Sequence, residues 1–159
     1  MLGAGVMGSG VALGADGRVI SSSARIVIVG AGAAGLALAN RLARSLDGAR
    51  ITIIDRRERH IYQPGLTLVA TGVWPTAQVL DENVRYMPRG VEWLKANVAE
   101  FDPDANCVFT DSGQRVDYDF LLIATGLHLD FAAIEGMTTE LIGREGIGCV
   151  YDSPEHATR

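Results

Sequence analysis

Arg25-Ile26-Val27-Ile28-Val29-Gly30-Ala31-Gly32-Ala33-Ala34-Gly35 is the stretch whose reading decides the fold. After Arg25 the run is apolar and β-branched, the pattern of a strand buried on both faces of a parallel sheet. Three glycines follow in the spacing GxGxxG. Leu38, Leu42 and Leu46 then recur every four residues with Ala39 and Ala43 beside them, while Asn40, Arg41, Arg44 and Ser45 fall on the other side. That spacing predicts an amphipathic helix ending at Asp47-Gly48. Ile51-Thr52-Ile53-Ile54 predicts the next strand, with Asp55 at its end, 20 positions beyond Gly35.

Each part has a physical role in holding a dinucleotide. Gly30 permits a tight turn, Gly32 has no Cβ to keep a pyrophosphate away, and Gly35 lets the helix pack closely on the strand. The helix N-terminus presents unpaired N–H groups and partial positive charge to phosphates. Asp55 can accept hydrogen bonds from an adenosine ribose. A bare GxGxxG is weak evidence, but in a strand, turn, helix, strand, acid context it is strong. The fingerprint does not separate FAD from NAD. Arg56 and Arg57 could be read as a 2′-phosphate site, but the carboxylate beside them would repel that phosphate.

A second GxGxxG match, Gly3 to Gly8, fails on context. Only Met1 and Leu2 precede it, and Gly10, Gly14 and Gly17 are poor material for the helix that should follow. Residues 1–24 are therefore set apart from the domain predicted over 25–159. Two readings of that leader stay open: a disordered segment, or the apolar middle of a twin-arginine type export signal without its basic start.

The 159-residue chain is 48% apolar and 21% charged, ordinary for one globular domain. A net charge of −5 argues against nucleic-acid binding. The basic run Arg56, Arg57, Arg59 and His60 reads as a solvated loop. Cys107 and Cys149 show neither CxxC nor zinc spacing, so no metal site is predicted. Cys107 reads as a packed small residue.

Beyond Asp55, Tyr62-Gln63-Pro64-Gly65 reads as a loop, and part of Val73 to Val84 as helix. Gly90 to Phe101 reads as a single strand stopped by Asp102-Pro103. Cys107 to Thr110 and Gln114 to Tyr118 read as a hairpin around Asp111-Ser112-Gly113. Phe120-Leu121-Leu122-Ile123-Ala124 reads as a second buried strand closed by Thr125-Gly126. Gly126 is expected where the backbone passes close to a cofactor. His60 and His156 are expected at the surface, and His128, after Thr125-Gly126, is a weak candidate.

The strand, hairpin, Tyr118-Asp119, then Ala124-Thr125-Gly126 resembles the ATG motif of two-dinucleotide flavoproteins, whose first GxGxxG holds FAD. His60-Ile61-Tyr62-Gln63-Pro64, Leu66-Thr67-Leu68-Val69, Gly90-Val91-Glu92-Trp93, Asp102-Pro103-Asp104, Asn106-Cys107 and Leu129-Asp130-Phe131 are more specific, and resemble sulfide:quinone oxidoreductases from about Arg25 to Tyr151. The resemblance implies an α/β fold. It would be a Rossmann-like parallel sheet with a β-hairpin or meander excursion, an FAD/NAD(P)-binding domain present only in its N-terminal part. It places Gly30, Gly32, Ala33, Ala34 and Gly35 at the FAD phosphates, and Asp55 on the ribose where the family usually has Glu. Gln63 would contact the cofactor, Val98 the adenine, and Thr125 and Gly126 the pyrophosphate side.

The same resemblance implies an enzyme that passes electrons from sulfide, through a cysteine pair and flavin, to quinone. The pair is expected outside this stretch, with Cys149 a minor candidate for a redox role. Membrane contact is expected through elements beyond this part, at the periplasmic face if the leader is an export signal and otherwise in the cytoplasm. A type II NADH dehydrogenase, a flavocytochrome c sulfide dehydrogenase flavin subunit, and a non-catalytic nucleotide-binding fragment are the competing readings.

Overall fold

The computed structural model describes residues 19–144 and 146–158, so the Gly3 to Gly8 motif and most of the predicted leader lie outside the described residues. Ile20–Ser21 (β1), inside the segment set apart as a leader, pairs in parallel with Leu46–Asp47 (β3). Between them run Arg25–Val29 (β2) and the helix Ala33–Ser45 (α1). Arg50–Ile54 (β4) follows, then Arg59–Ile61 (β5), the short helix Leu66–Ala70 (α2) and Leu80–Glu82 (β6). Glu92–Leu94 (β7), Val98–Asp102 (β8), Cys107–Thr110 (β9), Arg115–Asp117 (β10) and Phe120–Ile123 (β11) complete the strands.

The central sheet has the order β11-β2-β4-β7, and all three pairings are parallel. β2 sits inside it and alternates between two cores. Ile26 and Ile28 face α1, packing with Ile51, Ile53, Leu36 and Ala39. Val27 and Val29 face the other way, with Ile54, Ala96, Val108 and Tyr118. The second face is covered by an antiparallel meander, β10-β9-β8. A parallel sheet needs both faces covered, and the unbroken apolar reading of β2 and β4 follows from that.

Three expectations need adjustment. Gly90 to Phe101 is two strands, not one. β7 joins the parallel sheet and β8 the meander, with the chain turning at Lys95 to Asn97, where the Ala96 amide donates to the Leu94 carbonyl at 2.9 Å and Ala96 is buried. Val73 to Val84 is helical in part, but as 3-10 turns at Thr76–Val79 and from Asn83 onward, with β6 between them pairing antiparallel with β5. The Gln63-Pro64-Gly65 loop is a 3-10 turn running into α2, and Gly65 packs so tightly that a Cβ there would meet Val79 Cγ1 at 2.7 Å.

The start of β2 is clamped to the start of β11. The Arg25 amide donates to Asp119 Oδ2 at 2.7 Å, its guanidinium to Oδ1 at 2.7 Å, and the Asp119 amide returns a bond to the Arg25 carbonyl at 2.8 Å. The Arg25 side-chain and backbone bonds hold the Asp119 carboxyl down at about 2 from an ordinary 3.8. Its contribution to stability is therefore fully present above about 3.8 and lost as pH falls toward 2. β11 is an edge strand, with Phe120 and Ile123 exposed.

Two measurements check this account. Ile28→Ala, at a fully buried site under α1, should lower unfolding free energy in urea by roughly 2 to 5 kcal/mol. Asp119→Asn should leave a stability curve that is flatter than the native one between pH 4 and pH 2.

Candidate functional site

The site is built at the C-terminal ends of β2, β4 and β11, where an open parallel sheet receives ligands. The three fingerprint glycines are glycine for different reasons. Gly30 has φ +107°, and a Cβ there would meet the Ala124 carbonyl oxygen at 2.4 Å. At Gly35 a Cβ would lie 1.8 Å from the Gly30 carbonyl oxygen, so only glycine lets α1 approach. Gly32 has extended backbone, with φ −76° and ψ −172°, and a Cβ there would meet nothing within 4 Å. Neither strain nor protein packing demands glycine at that position. Its missing Cβ leaves open the space where a pyrophosphate would approach, and this is the observation by which the turn fits a dinucleotide.

Gly32 is also the N-cap of α1, and no side chain bonds the helix's first amides. The first turn of the helix itself carries no acidic residue, so its positive end is met by no charge from its own sequence.

Asp55 ends β4 beside this turn, 8% exposed. Its backbone is fixed by the neighbouring strand, with its amide donating to the Leu94 carbonyl at 3.2 Å and its carbonyl accepting from Trp93 Nε1 at 2.8 Å. Its carboxylate accepts the Ala31 amide on Oδ2 at 2.7 Å and the Arg57 amide on Oδ1 at 2.8 Å. The Arg57 guanidinium lies against both oxygens, at 3.3 and 3.2 Å. Burial pushes the Asp55 carboxyl up, but the bonds from the Arg57 side chain, the Ala31 amide and the Arg57 amide outweigh it, with the Arg57 charge, and hold it below its ordinary value.

A cleft of about 190 Å³ opens at this point, lined by Val29, Gly30, Ile54, Asp55, Arg57, Ala96, Asn97, Val98 and Thr125. The structure thus brings Gly30, Asp55, Val98 and Thr125 together. Ala33 lines a second cleft of about 470 Å³ beside α1, shared with Asn40, His60, Arg85, Tyr86 and Met87. The glycine turn borders both. Ala34 is exposed, Gln63 lines neither cleft, and Gly126 is exposed with φ +79° and no neighbour within 4 Å of a built Cβ. Within the protein, Gly126 is required by its left-handed backbone rather than by close packing.

Sequence reasoning set Arg57 aside and missed the roles of Ala96, Asn97 and Trp93. The basic run is not simply solvated: Arg57 pairs with Asp55, Arg56 with Asp111 and Arg59 with Glu155. Asp111 also accepts from Asn97 Nδ2 at 3.1 Å, which ties the meander turn to the cleft wall. The adjacency of Arg57 to a strand-end acid was the available signal. His60 is half-buried rather than superficial. Asn83 donates from Nδ2 to the Arg57 carbonyl at 2.8 Å, so its Oδ1 accepts from His60 Nδ1 at 3.0 Å, placing the neutral ring's proton on Nδ1. His156 is bonded to Asp152 and is not a free surface ring. Cys107 is fully buried and Cys149 half-buried, both free thiols. Among the described residues no cluster of three or more His, Cys, Asp or Glu could hold a metal, and no helix is long and apolar enough to cross a membrane.

The different reasons for the glycines separate by substitution. Gly35→Ala should lose several kcal/mol of stability or fail to fold, because backbone and not a mobile side chain occupies the space. Gly32→Ala should stay within about 1 kcal/mol of the native protein in the same denaturant titration.

Residues 24–154 match the family model of the pyridine nucleotide-disulphide oxidoreductases. The mitochondrial sulfide:quinone oxidoreductase of Dictyostelium discoideum is 36% identical over 141 residues, which is 87% of this chain and 31% of that protein. The mitochondrial enzyme of Mus musculus is 38% identical over 112 residues, 70% of this chain and 25% of the relative. The solved sulfide:quinone oxidoreductase of the hyperthermophilic bacterium Aquifex aeolicus superposes with a TM-score of 0.65 at 27% identity, covering 85% of this chain and 30% of that one. The chain spans about 25 to 31% of the length of these curated relatives. The resemblance read from the ATG and Tyr-Gln-Pro segments is borne out: the chain belongs to the pyridine nucleotide-disulphide oxidoreductase family, and its relatives include the sulfide:quinone oxidoreductases.

Proposed function

We propose that this chain is the FAD-binding portion of an oxidoreductase of the sulfide:quinone type. The supporting observation is Gly32, a glycine that protein packing does not require, at the uncapped N-terminus of α1 and beside an acid-ended β4. The relatives supply the substrate class: those of mouse and Dictyostelium are named for sulfide and quinone.

In this reading the adenylate lies in the smaller cleft, with its ribose toward Asp55 and its base against Val98. The pyrophosphate faces the amides of Ala33, Ala34 and Gly35, where the helix dipole favours negative charge. Thr125 and Gly126 close the opposite side, and Gln63 stands on the excursion that would meet the flavin half. FAD, when bound, supplies two-electron transfer between a reduced sulfur donor and a quinone. The residues of this chain bind and orient the cofactor. Quinone is a membrane solute, so the complete enzyme would work at a membrane face.

FAD titrated into the purified chain, followed by quenching of flavin fluorescence, tests the reading. Saturable binding is expected, weakened at least tenfold by Gly32→Val with the fold retained by circular dichroism. Equal binding by the folded variant, or no binding of FAD or ADP by the native chain, would overturn it.

A further inference from the structure

The larger cleft, of about 470 Å³, shares only Ala33 with the dinucleotide reading. Its size falls within the roughly 300–1,000 Å³ of small-molecule sites. It runs along the side of α1 rather than across the strand ends, with Ala33, Leu36, Ala37 and Asn40 as its helix wall. His60 from β5 and Arg85, Tyr86 and Met87 from the turn before β7 form the other wall. The His60 and Tyr86 ring centroids are 4.7 Å apart, with the planes tilted by 41°. A space lined by alanine methyls on one side and by two rings on the other suits a flat, apolar body.

The polar groups here are held in place by the protein itself. Asn40 Nδ2 donates to the Leu36 carbonyl at 2.9 Å and to the Tyr86 carbonyl at 2.8 Å, tying one wall to the other. His60 Nδ1 donates to Oδ1 of the buried Asn83 at 3.0 Å. Asp81, which does not line the cleft, accepts from Arg85 Nη1 and from the Tyr86 hydroxyl, each at 2.8 Å. The bond from Tyr86, then those from the Glu82 amide and Arg85, hold the Asp81 carboxyl below its ordinary value, so it stays ionised and keeps both partners at neutral pH. Side chains fixed in this way lose little freedom when a ligand arrives.

Two groups of opposite kind are left open. Arg85 gives one N–H of its fork to Asp81, and the rest of the fork has no partner among the described residues. His60, with its Nδ1 proton committed to Asn83, keeps an acceptor at Nε2. Among the lining residues no carboxylate competes for the guanidinium.

We propose that the larger cleft is a second small-molecule site, separate from the dinucleotide cleft, for an aromatic carboxylate bearing a hydroxyl. The carboxylate meets the open donors of Arg85, the ring lies between α1 and the His60–Tyr86 pair, and the hydroxyl donates to His60 Nε2. A planar carboxylate can take two parallel bonds from a guanidinium, and charge-assisted bonds of that kind are the strong ones.

The test titrates 4-hydroxybenzoate into the purified chain by calorimetry, with and without saturating ADP. Saturable binding at one site is expected, with a Kd of about 1 mM or tighter and no change when ADP is present. Benzoate, which lacks the hydroxyl, and 4-hydroxybenzamide, which lacks the charge, should each bind more weakly, the amide by about tenfold. Arg85→Ala should weaken 4-hydroxybenzoate about tenfold. Ala37→Trp, which fills the cleft from an exposed helix position, should abolish its binding. Both variants, folded by circular dichroism, should keep native affinity for ADP. Absence of saturable binding to the native chain, or native affinity in either folded variant, overturns the proposal. Displacement by ADP also overturns it, by placing the anion in the dinucleotide cleft. A chain that binds 4-hydroxybenzoate but neither FAD nor ADP leaves this site standing and removes the dinucleotide reading instead.

Discussion

Helix α1 lies against the sheet at a distance that any side chain at position 35 would forbid. The Gly30 carbonyl oxygen stands 1.8 Å from where a Cβ of Gly35 would be, so the turn and the helix it launches are in backbone contact. The rest follows from that contact. The Gly30 amide donates to the Ile54 carbonyl at 2.9 Å, binding the turn to β4, and the Ala31 amide reaches Asp55 at 2.7 Å. Ile28, Leu36 and Ala39 close the core beneath. The unpaired amides of the first helical turn end up beside the strand-end acid because no spacer separates them.

What the sequence made legible was whatever it encodes locally. β2, α1 and β4 could be read because apolar runs of period one and stripes of period four survive without tertiary help. The hairpin of β9 and β10 announced itself through Asp111-Ser112-Gly113, and the burial of Cys107 followed from its place there. Glu92 to Phe101 misled because no glycine or proline marks the break at Lys95 to Asn97. The bend exists because Ala96 is drawn into the core under the meander, a demand made by Val108 and Tyr118 from elsewhere in the chain. The pairing of β5 with β6 was invisible for the same reason: His60 and Asp81 become partners across segments too short to show periodicity.

The candidate site divides along that line. Gly30, Gly32, Gly35 and Asp55 could be placed by spacing alone. Val98 and Thr125 came from resemblance, and the structure puts them in the same cleft. Arg57 was seen and set aside as a possible phosphate ligand. Its role depends on which carboxylate it finds, and three arginines of one short run find three different ones: Asp55 just after β4, Asp111 on the meander turn, and Glu155. Charge content is written in the sequence. Charge pairing is a property of the folded chain.

The three glycines of the turn answer to different masters, and mutational drift would treat them differently. Gly30 and Gly35 are imposed by the protein on itself, so replacing either costs the fold whether or not a cofactor is ever met. Gly32 is free of that demand. In a lineage that no longer used a dinucleotide, position 32 would be the first of the three to accept a side chain, while its neighbours stayed fixed. A search among descendants for chains that keep the outer glycines and lose the middle one would therefore find those that have retained this architecture and abandoned its ligand.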